Sequence, residues 1–430
     1  MATKRINKQR ARAGSIKDQL ERIETDPAHH LTGPFQTQTP FGGTPIGSPP
    51  RSPTIRKPQE EGFWSDIKSL RWVVRPASSF KIIAAVVALY INWEIITPHV
   101  APGSPNPFTP LIFISHPIES SSTQDPRYAK SYLDLVFIAS YVVVFSFLRQ
   151  IFILHVFRPF ARWYGIKRSK LDRFGEQGYA IVYWGAMSVW GYLIMEQLPT
   201  YWYNTKPFWI GYPHWQMKPQ LKMYYLMQAS FWTQQLLVLV LGLEKPRKDY
   251  YELVCHHFVT IWLIGWSYLV SMTLMGNAVF LSMDFPDTIL AVSTSPESPP
   301  SGWQPMFSRV SKFSKLLNYM QREVAKTVVF AGLIVVWTYF RIYLNSNMLW
   351  SVWFEFDMIP AETMQWAPEK GVWLAWWIRY QIFIPLLLLL CLNIFWYFLI
   401  LRIAYRAVFT GNPDDDRSDD EDDDEGAKKN

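Results

Sequence analysis

Cysteine and histidine are scarce in this sequence of 430 residues, and each shortage excludes a class of structure. The two cysteines, Cys255 and Cys391, lie in or beside apolar runs, so we expect no disulfide framework. The eight histidines form no H-x-x-H or H-x-x-H-H pattern, so the multi-histidine di-iron site of membrane desaturases cannot be built, and no metal site is predicted. A secretory signal is also missing, because roughly the first 60 residues are polar, and the first apolar run is expected to act as an uncleaved anchor.

Apolar and aromatic residues, by contrast, are abundant. The chain is 49% hydrophobic and 17% aromatic, and it contains 21 Trp. Several apolar runs approach the length of about 20 residues that a helix needs to cross a bilayer. These features predict an all-α polytopic membrane protein. The net charge of +7 comes from basic flanks of the apolar runs, offset by an acidic tail, so it does not indicate a nucleic-acid partner.

Eight segments are predicted to span the membrane, at residues 82–97, 132–157, 178–196, 223–244, 254–275, 276–291, 327–344 and 380–401. The sixth is the weakest, because it is short and is interrupted by two aspartates and a proline. With the N-terminus in the cytosol, the cytosolic flanks hold 22 Lys and Arg residues and the opposite flanks hold 7. This asymmetry follows the positive-inside rule and predicts that both termini are cytosolic.

Regions of different composition flank and separate the spans. Residues 1–60 are rich in Pro, Gly, Ser and Thr, which predicts a disordered cytosolic tail. Residues 61–130 are predicted to hold an interfacial helix, the first span and a luminal loop. Residues 411–430 form an acidic cytosolic tail that should also be disordered. Within this tail Ser418 precedes three acidic residues, a pattern that predicts phosphorylation by an acidophilic kinase.

A histidine pair and an aspartate pair lie inside two consecutive predicted spans. His256 and His257 open the fifth span near the cytosolic side, and Asp284 and Asp287 lie in the sixth. The i, i+3 spacing lets one helical face present both aspartates. A charged group at the membrane centre costs about 2.5–3.5 kcal/mol, so these aspartates need partners or a wet cavity. Because consecutive spans are neighbours, we expect the histidines to be those partners, either in a functional polar site or in purely structural pairing.

Histidine together with aspartate suits acyl transfer from a thioester. A neutral imidazole can remove a proton from an incoming nucleophile, while an aspartate fixes its tautomer and stabilises the imidazolium. Imidazole can also attack an activated acyl group itself and form a transient acyl-imidazole. The residue types do not decide between these routes, nor which histidine takes which role.

The stretch RKDYYELVCHHFVTIWLIGWSYLVSMTLMGNAVFLSMDFPD resembles the signature of the ceramide synthases, the longevity-assurance family with a TLC domain. The segments FSFLRQIFILHVFRPFARWYGI and LILRIAYRAVF resemble the fungal members, so the likeness covers about residues 75–410. The resemblance implies an α-helical membrane barrel, with six or so spans around a lipid cavity. It also implies that residues 131–410 form the catalytic TLC domain, in the endoplasmic reticulum membrane.

The reaction implied by this resemblance is the N-acylation of a sphingoid base, dihydrosphingosine or phytosphingosine, by a long or very-long-chain fatty acyl-CoA, with release of CoA. No cofactor is implied, since acyl-CoA is a substrate. The motif match assigns the catalytic roles to His256, His257, Asp284 and Asp287. The family usually has Ser where Pro286 stands here, and proline removes a backbone donor and can kink a helix.

Partners other than the two substrates and membrane lipids are less defined: the resemblance leaves room for a homodimer, a hetero-oligomer with a related synthase, and a small accessory membrane subunit. The phosphates of CoA must stay in water at the cytosolic face. Cations on that face are candidates to bind them, although positive-inside topology alone also explains their presence. They are Lys245, Arg247, Lys248, Arg168 and Lys170.

Residues 292–312, VSTSPESPPSGWQPMFSRVSK, interrupt the family pattern. Without them Ala291 would join Phe313 in one continuous apolar helix end. The segment is rich in Ser and Pro, and its coding length is close to that of a short fungal intron. We therefore hypothesise an unspliced, in-frame intron, with a genuine cytosolic loop as the alternative, because loops tolerate insertion.

Two other functions fit part of the sequence. A non-enzymatic TLC-domain protein that binds or senses lipid would keep the spans but need not keep both the histidine pair and the aspartate pair, which are present here. A membrane fatty-acid elongase also uses acyl-CoA, but the missing H-x-x-H-H cluster argues against it.

Overall fold

The computed structural model describes residues 62–409 except 120, 123, 167, 169–170, 244–248, 294–327 and 371. The two predicted disordered tails, the Ser418 site and all but the first two residues of 292–312 lie outside these described residues. The described chain is mainly helical. In chain order its helices are α1 (Phe63–Lys68), α2 (Pro76–Val100), α3 (Thr109–Ile112), α4 (Leu133–Trp163), α5 (Leu171–Glu196), α6 (Pro219–Val240), α7 (Tyr250–Leu269), α8 (Thr273–Ser293), α9 (Val328–Phe354) and α10 (Ile378–Phe409).

Shorter elements interrupt or connect these helices. Helix α4 contains a π-helical stretch at Phe152–Phe157, and α9 contains another at Thr338–Leu344. Between α9 and α10, strands β1 (Trp366–Ala367) and β2 (Val372–Trp373) pair antiparallel. Single 3-10 turns lie at Arg71–Val73, Tyr201–Tyr203, Lys206–Phe208, Phe356–Met358, Ala361–Thr363 and Pro368–Lys370.

Four helices of the described chain are long and apolar enough to cross a membrane: α2, α4, α9 and the Ile378–Arg406 part of α10. The other four predicted spans coincide with α5, α6, α7 and α8, which have 20 to 26 residues each and carry more polar side chains. These helices pack on one another, with α8 against α5, α6 and α7, so their polar side chains can meet protein partners. The chain is thus a mainly helical, multi-pass membrane protein, and the count of eight spans stays a prediction.

The turn between the fifth and sixth predicted spans lies earlier than the sequence indicates. The predicted span 254–275 is wrong at its end, because α7 stops at Leu269 and α8 starts at Thr273. Ser271 in the turn has a positive φ of 62°. The hydroxyl of Tyr212, far away in sequence, donates a hydrogen bond to the carbonyl oxygen just before it. The turn is therefore held by a tertiary contact rather than by Gly or Pro.

The seventh predicted span, 327–344, is too short. Helix α9 continues through its π-helical stretch and reaches Phe354. Two buried polar residues beyond the predicted end, Asn345 and Ser351, form hydrogen bonds and do not stop the helix. The side-chain amide of Asn345 donates to backbone carbonyls of the preceding turn, and Ser351 Oγ accepts a hydrogen bond of 2.7 Å from Trp209 Nε1.

A buried ion pair joins three of the helices at one end of the bundle. Lys222 of α6 lies 2.9 Å from Asp134 Oδ1 of α4 and donates to the carbonyl oxygens of Ser115 and Ala129, each at 2.7 Å. The hydroxyl of Tyr268, on α7, donates to Asp134 Oδ2 at 2.7 Å. A buried pair is tolerated when its remaining donors and acceptors are satisfied, as they are here. This cluster fixes α4, α6 and α7 relative to one another, at the end opposite the histidines.

Candidate active site

The two histidines lie in the second turn of α7 and are both buried: His256 is 7% exposed and His257 is 8% exposed. After the turn at residues 270–272, α8 packs back along α7 and brings Asp284 to the same end of the pair. His256 and Asp284 line one pocket between α6, α7, α8 and α10. The structure therefore places two of the four predicted catalytic residues at a common cavity.

Aromatic rings hold His256 in place. Its ring lies edge-on to Trp232 and Trp396, with centroid distances of 5.4 and 5.3 Å. Trp396 is oriented in turn by a hydrogen bond of 3.1 Å from its Nε1 to Asp249 Oδ2. Nδ1 of His256 has no hydrogen-bond partner within the described part of the chain. Because buried polar atoms normally have a partner, this nitrogen is suited to bind a group that enters the pocket.

The tautomer of His257 follows from its backbone contact. Its Nδ1 lies 2.8 Å from the carbonyl oxygen of Leu253, one turn earlier on α7. A carbonyl oxygen can only accept, so Nδ1 carries the proton of the neutral ring and Nε2 carries the lone pair. The ring also packs edge-on against Trp232, with a centroid distance of 5.4 Å. His257 is thus oriented by two contacts and has its basic nitrogen at Nε2.

Asp284 is fully buried and is held by side chains of α6. Its Oδ2 accepts hydrogen bonds from the Gln228 side-chain amide and, at 3.3 Å, from the Tyr224 hydroxyl. Gln228 is fixed in turn, because its Oε1 accepts a hydrogen bond of 3.1 Å from the Tyr183 hydroxyl. The second carboxylate oxygen, Oδ1, has no partner among the described residues. The carboxylate is therefore rigidly placed and keeps one oxygen for a further donor.

Asp287 pairs with an arginine of α9. Its Oδ2 lies 2.6 Å from Arg341 Nη2, and its side chain is 19% exposed. Nη1 of the same guanidinium donates to Asn393 Oδ1 at 3.1 Å, and its plane lies over the Trp337 ring at 4.3 Å. Contrary to the pairing predicted from the sequence, the histidines are not the partners of either carboxylate among the described residues.

Pro286 lies inside α8 without ending it. Proline has no N–H and its ring crowds the preceding turn, so the carbonyl oxygen of Ser282, four residues earlier, receives no helical hydrogen bond from it. Arg341 donates to the next carbonyl along, that of Met283, at 3.1 Å while it holds Asp287. The arginine thus bridges the two sides of the proline, and this contact fixes the side chain of Asp287.

The pocket at His256 is mainly apolar. Its empty space is about 640 Å³, its open mouth included. Its walls come from α7, α8 and α10 and include Leu263, Ile264, Met275, Val279, Leu386 and Leu389. Polar side chains are few: His256 and Asp284 lie at one end, Thr260 lies one turn beyond His256 on α7, and Tyr225 and Ser267 lie at the other end. An apolar cleft with a few convergent polar groups is the usual form of a ligand site, and this one suits a lipid chain with a reactive head group.

Comparison with known proteins gives the family. A family model described as the TLC domain matches residues 173–295 and 309–402. The sphingosine N-acyltransferase lac1 of Schizosaccharomyces pombe is 36% identical over 336 residues, which are 77% of this chain and 79% of that protein. The ceramide synthase LAG1 of Saccharomyces cerevisiae is 35% identical over 314 residues, 73% of this chain and 70% of that protein. This chain belongs to the ceramide synthase family. The resemblance seen in the sequence is thereby confirmed.

An animal ceramide synthase is also similar, at lower identity. The ceramide synthase hyl-2 of Caenorhabditis elegans is 28% identical over 263 residues, 58% of this chain and 69% of that protein. The TLC match breaks between residues 295 and 309, inside the segment 292–312 that interrupts the ceramide synthase pattern. The choice between an unspliced intron and a loop stays a prediction, because most of this segment lies outside the described residues.

The cations predicted to bind CoA phosphates are largely beyond the described part of this ceramide synthase family member. Arg168 is described and is exposed to solvent. Outside the described residues lie Lys170, Lys245, Arg247 and Lys248. Their role stays a prediction. Within the described residues no group of three or more His, Cys, Asp or Glu side chains could hold a metal ion.

Arg341, the partner of Asp287, is not among the residues predicted from the sequence. A signal for it exists, because Arg341 is a cation inside the predicted span 327–344, and an arginine within an apolar helix needs an acceptor. The π-helical stretch around it is a further sign, since such stretches occur often at functional sites. Gln228 has a weaker signal, because a polar side chain in the predicted span 223–244 suits either the polar part of a tunnel or an interhelical hydrogen bond. Its actual partner, Asp284, depends on which face of α6 packs against α8, and so does the contact of Tyr224.

Proposed function

We propose that this ceramide synthase family member is a sphingosine N-acyltransferase, which joins the acyl group of a long or very-long-chain acyl-CoA to the amine of dihydrosphingosine or phytosphingosine. The observation that carries the proposal is the apolar pocket with His256 and Asp284 at one end. Its walls suit an acyl chain, and its polar end supplies the imidazole and carboxylate that acyl transfer needs. The names of the similar yeast proteins, sphingosine N-acyltransferase and ceramide synthase, support the same activity.

In the proposed reaction the thioester carbonyl lies beside His256. The sphingoid amine attacks the carbonyl carbon, so that a C–N bond forms as the C–S bond breaks. The proton lost by the amine passes through the imidazole to the departing CoA thiolate. In the second route, a ring nitrogen of His256 attacks first and CoA leaves, after which the amine displaces the imidazole from the acyl-imidazole. Both routes yield one amide and one thiol.

The other polar residues are assigned to orientation and charge. Asp284 Oδ1, which has no partner among the described residues, accepts a hydrogen bond from the protonated ring or from the amine. His257 is a second imidazole beside the first, since its ring lies edge-on to that of His256 with a centroid distance of 5.9 Å. Asp287 acts through its pair with Arg341, which keeps α8 in place against α9. All four residues assigned from the motif thus take part, Asp287 as a positioning residue.

The setting proposed for this reaction is the endoplasmic reticulum membrane. We propose eight spans with both termini cytosolic, and six of them arranged as a barrel around the lipid pocket. The exposed Arg168 and the neighbouring basic residues would then attract the CoA phosphates at the cytosolic face. Homodimers, and assemblies with a related synthase or a small accessory subunit, are predictions of the same kind.

Expression of the chain in a host that lacks its own ceramide synthases tests the proposed activity. Microsomes given sphinganine and acyl-CoA are expected to form ceramide and to release one CoA for each amide made. The matched control omits sphinganine, and no CoA release above the host background is expected. Membranes that bind labelled acyl-CoA or sphinganine but form no ceramide would instead support a non-enzymatic lipid-binding protein.

A further inference from the structure

The pocket has a direction, because its lining residues follow one face of α7 from His256 to Ser267. Ser267 follows His256 by 11 residues, a rise of about 16 Å along the helix. On α8, which runs back along α7, the lining residues extend from Asp284 to Gly276 and Met275. Helix α6 contributes two lining residues, Trp232 at the histidine end and Tyr225 at the far end. One end of the pocket is therefore at the histidine, and the other is about 16 Å away, near the α7–α8 turn.

The Tyr225 side chain lines that far end. It is buried, its hydroxyl is hydrogen-bonded to Ser267 Oγ, and its ring packs edge-on against Phe280 with a centroid distance of 5.1 Å. The tyrosine side chain packs against Gly276, which lies inside α8. A Cβ at that position would lie 2.6 and 2.7 Å from two carbons of the tyrosine ring, closer than real Cβ contacts come. The glycine is thus needed for the ring to lie across the end of the pocket.

We propose that Tyr225, seated on Gly276 and tied to Ser267, is the floor of the acyl-chain site and sets the length of the acyl chain that the protein transfers. This inference rests on the proposed function. With the thioester at His256, the acyl chain extends toward Tyr225, and its methyl end contacts the face of the tyrosine ring. A chain that is too long cannot bring its carbonyl to the histidine, so the floor selects against it.

The length of the pocket gives the class of substrate. The hydrocarbon core of a bilayer is about 30 Å thick, so one leaflet provides about 15 Å for an ordinary membrane acyl chain. The distance of about 16 Å from the histidine to the floor matches one leaflet. The wild-type protein is therefore expected to use palmitoyl- and stearoyl-CoA in preference to lignoceroyl- and cerotoyl-CoA.

A competition assay tests the floor. Microsomes of the ceramide-deficient host, carrying the full chain, receive sphinganine with equal amounts of palmitoyl-CoA and lignoceroyl-CoA, and the two ceramides are quantified by mass spectrometry. Tyr225→Ala removes the ring and is expected to raise the ratio of lignoceroyl- to palmitoyl-ceramide by about tenfold or more. Tyr225→Leu keeps more of the buried volume and is the decisive variant if the alanine protein does not accumulate. Its expected shift has the same direction and is smaller.

Two further sets of variants distinguish an effect of the floor on chain length from general damage to the core. Tyr179 is a buried tyrosine that does not line the pocket, so Tyr179→Ala is expected to leave the product ratio unchanged. Gly276→Ala is expected to lower ceramide formation when Tyr225 is present, because the added methyl group displaces the ring. In the Tyr225→Leu background, the same substitution should have little effect.

The possible outcomes distinguish a failure of the proposed floor from a failure of the proposed enzymatic activity. Ceramide formation by the wild type with the same product ratio in Tyr225→Ala and Tyr225→Leu would overturn the floor and leave the activity standing. A wild-type preference for lignoceroyl-CoA would also overturn it. A wild type that forms no ceramide from either acyl-CoA would overturn the activity, and the floor with it.

Discussion

Replacement of His256 or of His257 by Ala is expected to lower the rate of ceramide formation by about 10²–10⁴-fold, the usual effect of losing a positioned acid–base group. His256 lines the pocket beside Asp284, and His257 has its basic nitrogen oriented by the bond to Leu253. Both rings pack against Trp232, so each alanine variant leaves a small cavity rather than an unpaired buried charge. The rate is measured per mole of folded protein, quantified by size-exclusion chromatography in detergent.

The matched control for this pair is His155→Ala. His155 is exposed on α4 and does not line the pocket, so its loss should leave the rate unchanged. If both alanine variants, at wild-type amounts of folded protein, keep the wild-type rate, then neither ring is the base or the nucleophile. A loss in only one of them would assign both roles to that histidine.

Replacement of Arg341 by Met is expected to lower the free energy of unfolding by about 3–5 kcal/mol, because it leaves the carboxylate of Asp287 buried without its partner. The Asp287 side chain is 19% exposed, so some water reaches it and the lower end of this range is expected. The arginine also donates to Met283 and Asn393, and both acceptors would lose that donor. Chemical unfolding in detergent micelles measures the change, and ceramide formation is expected to fall with it.

A double-mutant cycle shows whether the Arg341–Asp287 pair is the cause. Asp287→Asn removes the charge of the carboxylate, so the double variant Arg341→Met with Asp287→Asn should lose less stability than the sum of the single variants. Arg341→Lys keeps the charge but not the forked set of donors, and it should recover only part of the loss. Strictly additive losses in the cycle would mean that the two side chains do not stabilise each other.

The helices were predictable where the apolar pattern alone decides. The runs that form α2, α4 and α10 are long and apolar, and their predicted positions agree with the structure to within a few turns. The α7–α8 turn was not predictable, since it depends on the Tyr212 hydroxyl and on the positive φ of Ser271, and no local residue marks either feature. Likewise α9 passes its predicted end because Asn345 finds acceptors in the preceding turn.

In the candidate site too, some features were predictable from the sequence and others were not. His256 and Asp284 stand out in the sequence, because an ionisable side chain within an apolar run is costly unless it has a use or a partner. Their actual partners do not follow from spacing. Residues three apart on α8 reach different neighbours, Gln228 on α6 and Arg341 on α9, because both helices pack against α8. The contact between Tyr225 and Gly276 is likewise visible only after the helices are packed.

The central claim is that the acyl chain lies between α7, α8 and α10 with its thioester at His256. Photolabelling with two acyl-CoA analogues tests it most directly, one with a diazirine near the carboxyl end of the chain and one with a diazirine near the methyl end. The first is expected to label peptides around His256 and Asp284, and the second to label peptides around Tyr225 and Gly276. Labelling confined to α2 or to the lipid-exposed side of α4, with no modified peptide from α7 or α8, would contradict the account.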